Sequence, residues 1–132
     1  MSGSTDLDYL LREAKPVLDP ENYVFVCLSA AYGDHVDWQP IASFVESEGL
    51  TLVLRQEVAG THSLTYDGAF KKITLQVHSS LSAVGLTAKF AERLAAINIS
   101  ANVIAAFYHD HIFVPLADAD RAMSALSTLA EH

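Results

Sequence analysis

The sequence predicts an α+β protein built of two related βαββαβ-type units. Three observations carry that expectation. Residues 70 to 126 read as strand, Ser-rich loop, helix, strand, tight turn, strand and helix, a βαββαβ unit without its last strand. The first half repeats the strand pattern at an offset of about 49 residues. Val24, Val26 and Leu28 fall on Ile73, Leu75 and Val77, and Leu50, Leu52 and Leu54 on Ile99, Ala101 and Val103. Hydrophobic residues make up 51% of the 132, enough to build a core and too many for a disordered chain.

The elements follow in order. Thr5 with Asp8 marks a helix start, Leu7, Leu10 and Leu11 recur at helical spacing, and Pro16 stops the segment. Tyr23 to Ser29 is apolar and β-rich, hence a buried strand. Ala30 to Asp37 is a loop. Pro40 suits a helix first turn, and Ile41, Phe44 and Val45 would give that helix its apolar face, ended by Gly49. Leu50 to Arg55 is the next strand. Glu57 to Gly68 is turn-rich, with room for a short strand. From Phe70, Ile73, Leu75 and Val77 alternate with Lys72, Thr74, Gln76 and His78, so this strand has one buried and one polar face.

A helix from about Ala83 to Ala96 follows. Leu86, Phe90, Leu94 and Ile97 line one side, and Val84, Ala88, Ala91 and Ala95 widen the apolar arc beyond what one sheet needs. Part of that arc is therefore expected to meet another subunit. Strand Ile99 to Tyr108, a turn at His109-Asp110 and strand His111 to Leu116 come next. Asp118 is placed to cap a last helix carrying Ala122, Met123, Leu126 and Leu129. The unit then lacks its closing strand, so its edge must be completed by another part of the chain or by a partner. The expected modules are residues 1–68, with a leading helix, and 69–132. Exchange of a strand between them is favoured over two separate units, because units of about sixty residues bury little surface alone.

Net charge is −8, from 16 acidic against 8 basic residues, and no basic run occurs, which argues against a nucleic-acid or anionic-membrane partner. No apolar stretch approaches the roughly 20 residues of a membrane span, and residues 1–11 lack a signal-peptide shape. The one cysteine, Cys27, lies in the run Tyr-Val-Phe-Val-Cys-Leu and is expected to be buried and reduced. A cytoplasmic location follows as an expectation.

The segments EGLTLVL, ITLQVHSSLSAVGLTAKFAERLA, ISANVIAAFYHDHIFVPL and ADRAMSAL carry a resemblance. The chain resembles a bacterial family with two tandem ACT modules, the C-terminal one similar to the regulatory ACT modules of aspartate kinases. The resemblance spans nearly the whole chain and is strongest from Ile73 to Leu126. It implies ferredoxin-like modules, side-by-side pairing and amino-acid binding at module or subunit interfaces. The implied ligand positions are Ser79, Ser80, Leu81, Ser82, Ala83, Val84, Gly85 and Leu86, with Ser100, Ala101, Asn102, Val103 and Ile104 on the following strand.

The residues support part of this independently. Unpaired N–H groups at a helix start attract carboxylates. Ser79, Ser80 and Ser82 add hydroxyls there, Gly85 permits close approach, and the Asn102 amide both donates and accepts. The plainer account makes one serine an N-cap and Gly85 a packing residue.

His78, His109 and His111 suggest a zinc-type site, whereas a tight turn around Asp110 explains His-Asp-His without one. No metal or other cofactor is expected. Catalysis is not expected either: there is no nucleophile elbow, phosphate loop or paired-carboxylate motif, and the adjacent His78 and Ser79 would point to opposite sheet faces. Loop residues Tyr32, Asp34, His35, Asp37 and Trp38 occupy the strand-to-helix position of the first module. They read either as a second ligand site or as a solvated loop anchored by Trp38. The function expected is a non-catalytic, amino-acid-binding regulatory protein, a homodimer with a regulated protein partner. The alternatives are a pairing module without ligand and a histidine-based metal binder.

Overall fold

The computed structural model describes residues 14–76 and 86–131, and the side chains of all of these except 86 and 129–131. The expected leading helix and the Ser79–Gly85 loop lie outside the described residues. Two compact units result: residues 20–70, and residues 71–131 together with 14–19. Strand β1 (Pro16–Leu28) belongs to both, its residues 20–28 to the first unit and 16–19 to the second.

In the first unit the strands run in the order β2 (Ala42–Glu46), β3 (Gly49–Arg55), β1, all antiparallel. The register sets Val24 opposite Leu54, Val26 opposite Leu52 and Leu28 opposite Leu50. Alternation then turns all six to one face, where Val24, Val26, Leu50, Leu52 and Leu54 form the core with Ala59, joined by Leu28, Trp38, Leu64 and Tyr66.

The same alternation turns Cys27 outward. It is exposed, against the expectation of a buried thiol. The helix expected after Pro40 is instead strand β2. Ile41, Phe44 and Val45 do lie at helical spacing, but Ser-Phe-Val is β-favouring and a two-residue turn returns the chain from Glu46 to Gly49. Phe44 and Val45 stay 70% and 65% exposed, so no buried helix face existed for them to make.

Helix α1 (Gln56–Thr61) takes the place expected for a turn or a short strand. Ser63 at φ 53° ends it: Ser63 N–H donates to the Gly60 carbonyl and Leu64 N–H to Ala59, which is a Schellman cap.

In the second unit the strand order is β1, β4 (Phe70–Leu75), β6 (Asp110–Pro115), β5 (Asn102–Ala105). Helices α2 (Leu86–Ala96) and α3 (Ala119–Glu131) pack on one sheet face. Ile73 and Leu75 of β4 and Ile112 and Val114 of β6 meet Phe90 and Leu94 of α2 and Ala122, Ala125 and Leu126 of α3. Both helices are therefore amphipathic through tertiary burial. Asn98 at φ 63° caps α2 as Ser63 caps α1: Asn98 N–H donates to Ala95 and Ile99 N–H to Leu94, at 3.0 Å each.

Arg121 donates from Nη2 to the Ile97 carbonyl at 2.6 Å and pairs through Nη1 with Asp118 at 3.1 Å, linking the start of α3 to the end of α2. Strand β5 is shorter than the expected Ile99–Tyr108, because the chain turns at 106–109, where Ala106 N–H donates to the His109 carbonyl. No strand follows α3 among the described residues. In this unit β4 lies between β1 and β6. Among the described residues no helix is long and apolar enough to cross a membrane.

Candidate functional site

The implied site has two halves, of which one is described. Ser79, Ser80, Leu81, Ser82, Ala83, Val84 and Gly85 lie outside the described residues. Leu86 opens α2. On the other half, Ala101 is half-buried against the helix-side core, and Asn102 opens β5 with its side chain exposed. Val103 packs with the core opposite Ile112, whereas Asn102 and Ile104 lie opposite Phe113 and His111 on the helix-free face. Asn102 and Ile104 thus share a face with each other and not with Ala101 and Val103.

Two side-chain links not foreseen from the sequence surround this strand pair. Thr87, on the first turn of α2, donates its hydroxyl to the Asp110 carboxylate. One residue on, His111 Nδ1 lies 2.8 Å from the Thr74 hydroxyl of β4. Adjacent strand residues point to opposite faces, so Asp110 engages the helix side and His111 the other side. The only sequence signal was His-Asp-His itself; the threonines gave none, since a half-buried threonine in a strand or helix is ordinary.

The face away from the helices carries charge. Lys72 on β4 pairs with Asp19 on β1 at 3.3 Å, both half-buried. Burial first, then the Lys72 ammonium and the neighbouring His109, push His111 below the ordinary imidazole value of 6.5, with Asp110 opposing. The folded protein therefore takes up this proton less readily than the unfolded chain. The neutral-state stability is present above the unfolded value and is lost as pH falls from about 6.5 toward the lower folded value. We expect the melting temperature to drop between pH 7.5 and 5.5, and to drop less in His111→Gln. Equal pH slopes for the two proteins would refute the assignment.

Among the described residues no three His, Cys, Asp or Glu side chains are grouped to hold a metal. His109 sits in the turn and His111 in the strand, and His78 lies outside the described residues.

The loop of the first unit is largely exposed, Tyr32 at 74% and Val36 at 67%, with Trp38 half-buried. A 3-10 turn at Val36–Trp38 sets the indole between two imidazoles, His35 at 3.9 Å and His62 at 4.8 Å between ring centroids. Trp38 anchors the loop to the core, as the sequence suggested. His35 is half-buried and His62 exposed, and both stack on the indole. Asp34 folds back on Ala31 through its carboxylate and its N–H, each at 2.9 Å.

A ferredoxin-like sheet with two helices on one face, and a second compact unit in the same chain, define a tandem small-domain architecture. The chain belongs to the ACT-domain family: one ACT-domain model matches residues 2–71 and a second matches residues 70–128. A crystal structure from Vibrio cholerae, described as a protein of unknown function and possible transport protein, is 48% identical, with TM-score 0.90, covering 98% of this chain and 99% of that one. An Agrobacterium tumefaciens protein shares the fold at 18% identity and TM-score 0.70, covering 89% and 90%. The ligand-free regulatory subunit of aspartate kinase from Thermus thermophilus shares it at 11% identity and TM-score 0.61, covering 89% and 98%. No curated protein matches the chain.

Proposed function

We propose that this protein is a non-catalytic regulatory module that binds an α-amino acid and passes its occupancy to a partner protein. The observation that carries the reading is the tandem ACT match over residues 2–71 and 70–128. The site proposed is the Ser79–Leu86 segment with Ala101, Asn102 and Ile104. The serines and helix-start N–H groups suit a carboxylate, and the exposed Asn102 amide suits the ammonium or the carboxylate. Binding at a subunit interface of a cytoplasmic homodimer completes the proposal.

The test is thermal unfolding against each of the twenty amino acids, with and without EDTA and zinc. A ligand specific to the folded state at 100 times its Kd adds about 2.7 kcal/mol. Asn102→Ala should abolish the shift. Because Asn102 is exposed, its own cost should stay within about 0.5 kcal/mol, with assembly unchanged. No shift with any amino acid at millimolar concentration would sink the reading.

A pairing module without ligand is the second reading, favoured by Ala88, Ala95 and Ala96, which α2 leaves exposed. It predicts no amino-acid shift and a dimer unaffected by Asn102→Ala.

A further inference from the structure

The second unit carries a polar cluster on the sheet face away from its helices. Ile112 and Val114 turn toward the helices, so His111 and Phe113 turn the other way. Lys72 and Thr74, on either side of the core residue Ile73, do the same on β4. His111 Nδ1 lies 2.8 Å from the Thr74 hydroxyl, which fixes the ring. The other ring nitrogen, Nε2, has no hydrogen-bond partner among the described residues and is not sealed from solvent. Beside the ring on this face are Phe113, fully buried, and Ile104, paired opposite His111. A half-buried imidazole is thus anchored by one nitrogen and presents the other.

The charges around it are unbalanced. Burial, Lys72 and His109 all oppose a positive charge on the ring, and Asp110 alone among the described residues favours it. Asp110 already accepts the Thr87 hydroxyl on the helix side, and Asp19 is engaged by Lys72 at 3.3 Å. A protonated His111 therefore stands near an ammonium with little acidic counter-charge. Once the ring is protonated, Nδ1–H donates to the Thr74 oxygen, which leaves the Thr74 O–H and the His111 Nε2–H to donate elsewhere. Together with the Lys72 ammonium they make a donor set suited to an oxyanion.

We propose that Lys72, Thr74 and His111 form a binding site for a small oxyanion, a carboxylate or a phosphate group, on this face. The anion supplies the counter-charge that lets His111 hold its second proton, so binding and proton uptake are linked. None of the three residues belongs to the proposed amino-acid site.

The experiment follows the ring protons of His111 by NMR in the full chain between pH 7.5 and 5.5. The probes are sodium sulfate and sodium acetate, with sodium chloride at equal ionic strength as the control. His111→Gln identifies the resonance among the six histidines. Sulfate or acetate should move it saturably and bind about tenfold more tightly at pH 5.5 than at 7.5, while chloride does not. The tighter probe names the class, a phosphate group for sulfate and a carboxylate for acetate. Lys72→Gln should weaken binding about tenfold, and Lys72→Arg should restore it. Followed through the backbone amides of β4 and β6, binding to His111→Gln should lose its pH dependence. If Lys72→Gln fails to fold, His111→Gln carries the test alone.

A response at His111 that does not saturate, or that chloride matches, overturns the site. Saturable binding whose pH dependence persists in His111→Gln overturns the assignment of the linked proton to His111. These readouts use no amino acid, so the result is independent of the proposed function.

Discussion

Phe90→Ala lowers the free energy of unfolding by about 3–5 kcal/mol, the usual cost of emptying a fully buried phenylalanine site. Phe90 is fully buried on α2 among Ile73, Leu75, Ile112 and Leu126, on the seam between helix and sheet. Small proteins unfold at a total cost of about 5–15 kcal/mol, so the loss removes a large share of it. Truncation leaves a cavity whose walls belong to two strands and two helices, none of which can collapse inward without dragging its neighbours. Phe90→Leu should cost much less, about 1.5 kcal/mol, because it retains most of the volume. Denaturant unfolding of the two variants checks both figures; a cost under 1 kcal/mol for alanine would show that this seam is not the core of its unit.

Gly49→Ala should produce the second largest loss, and the reason is local. Gly49 has φ +152°, and a Cβ there would lie 2.6 Å from the Leu28 carbonyl oxygen and 3.0 Å from Cys27 Sγ. The backbone conformation alone costs a side chain roughly 1–3 kcal/mol. The clash adds to that, since its near partner is main chain in a strand already paired at Leu28–Leu50. Gly33→Ala separates the two contributions: Gly33 has φ +94° with nothing within 4 Å, so it bears only the conformational cost. Both are read by denaturant unfolding. Equal losses at the two positions would eliminate the steric contribution.

What the sequence revealed was the part in which period and punctuation agree. Ile73 and Leu75 alternate, and β4 is a strand with one buried face. Phe90 and Leu94 recur at helical spacing, Asn98 takes the left-handed cap, and α2 ends there. What it hid was decided by tertiary pairing. Ile41, Phe44 and Val45 fit a helix by spacing, and only pairing with β3 makes them an outer strand. Pro16 reads as a stop, yet it opens β1, where a missing N–H is tolerated at a first strand residue. Gln56 to Thr61 includes Gly60 and Thr61, poor helix formers, so a helix of six residues gave no signal. The apolar run at Tyr23 suggested burial on both faces, which concealed that Cys27 points out. In the site, Asn102 was legible as an amide on a strand. The Thr87–Asp110 and Thr74–His111 links join residues 23 and 37 apart and could not be read without the fold.

The division of β1 between the two units has a consequence for birth on the ribosome. Residues 20–70 are contiguous, so the first unit has all its parts once its last residue clears the exit tunnel. The second is discontinuous: residues 14–19 are made before the first unit, and their partners in 71–131 after it. During that interval the early segment must stay unpaired, and closing the second unit must span the whole intervening stretch of chain. The order of assembly is thereby written into the polypeptide, inner segment before outer, and the step most exposed to aggregation is the late closure of the second unit.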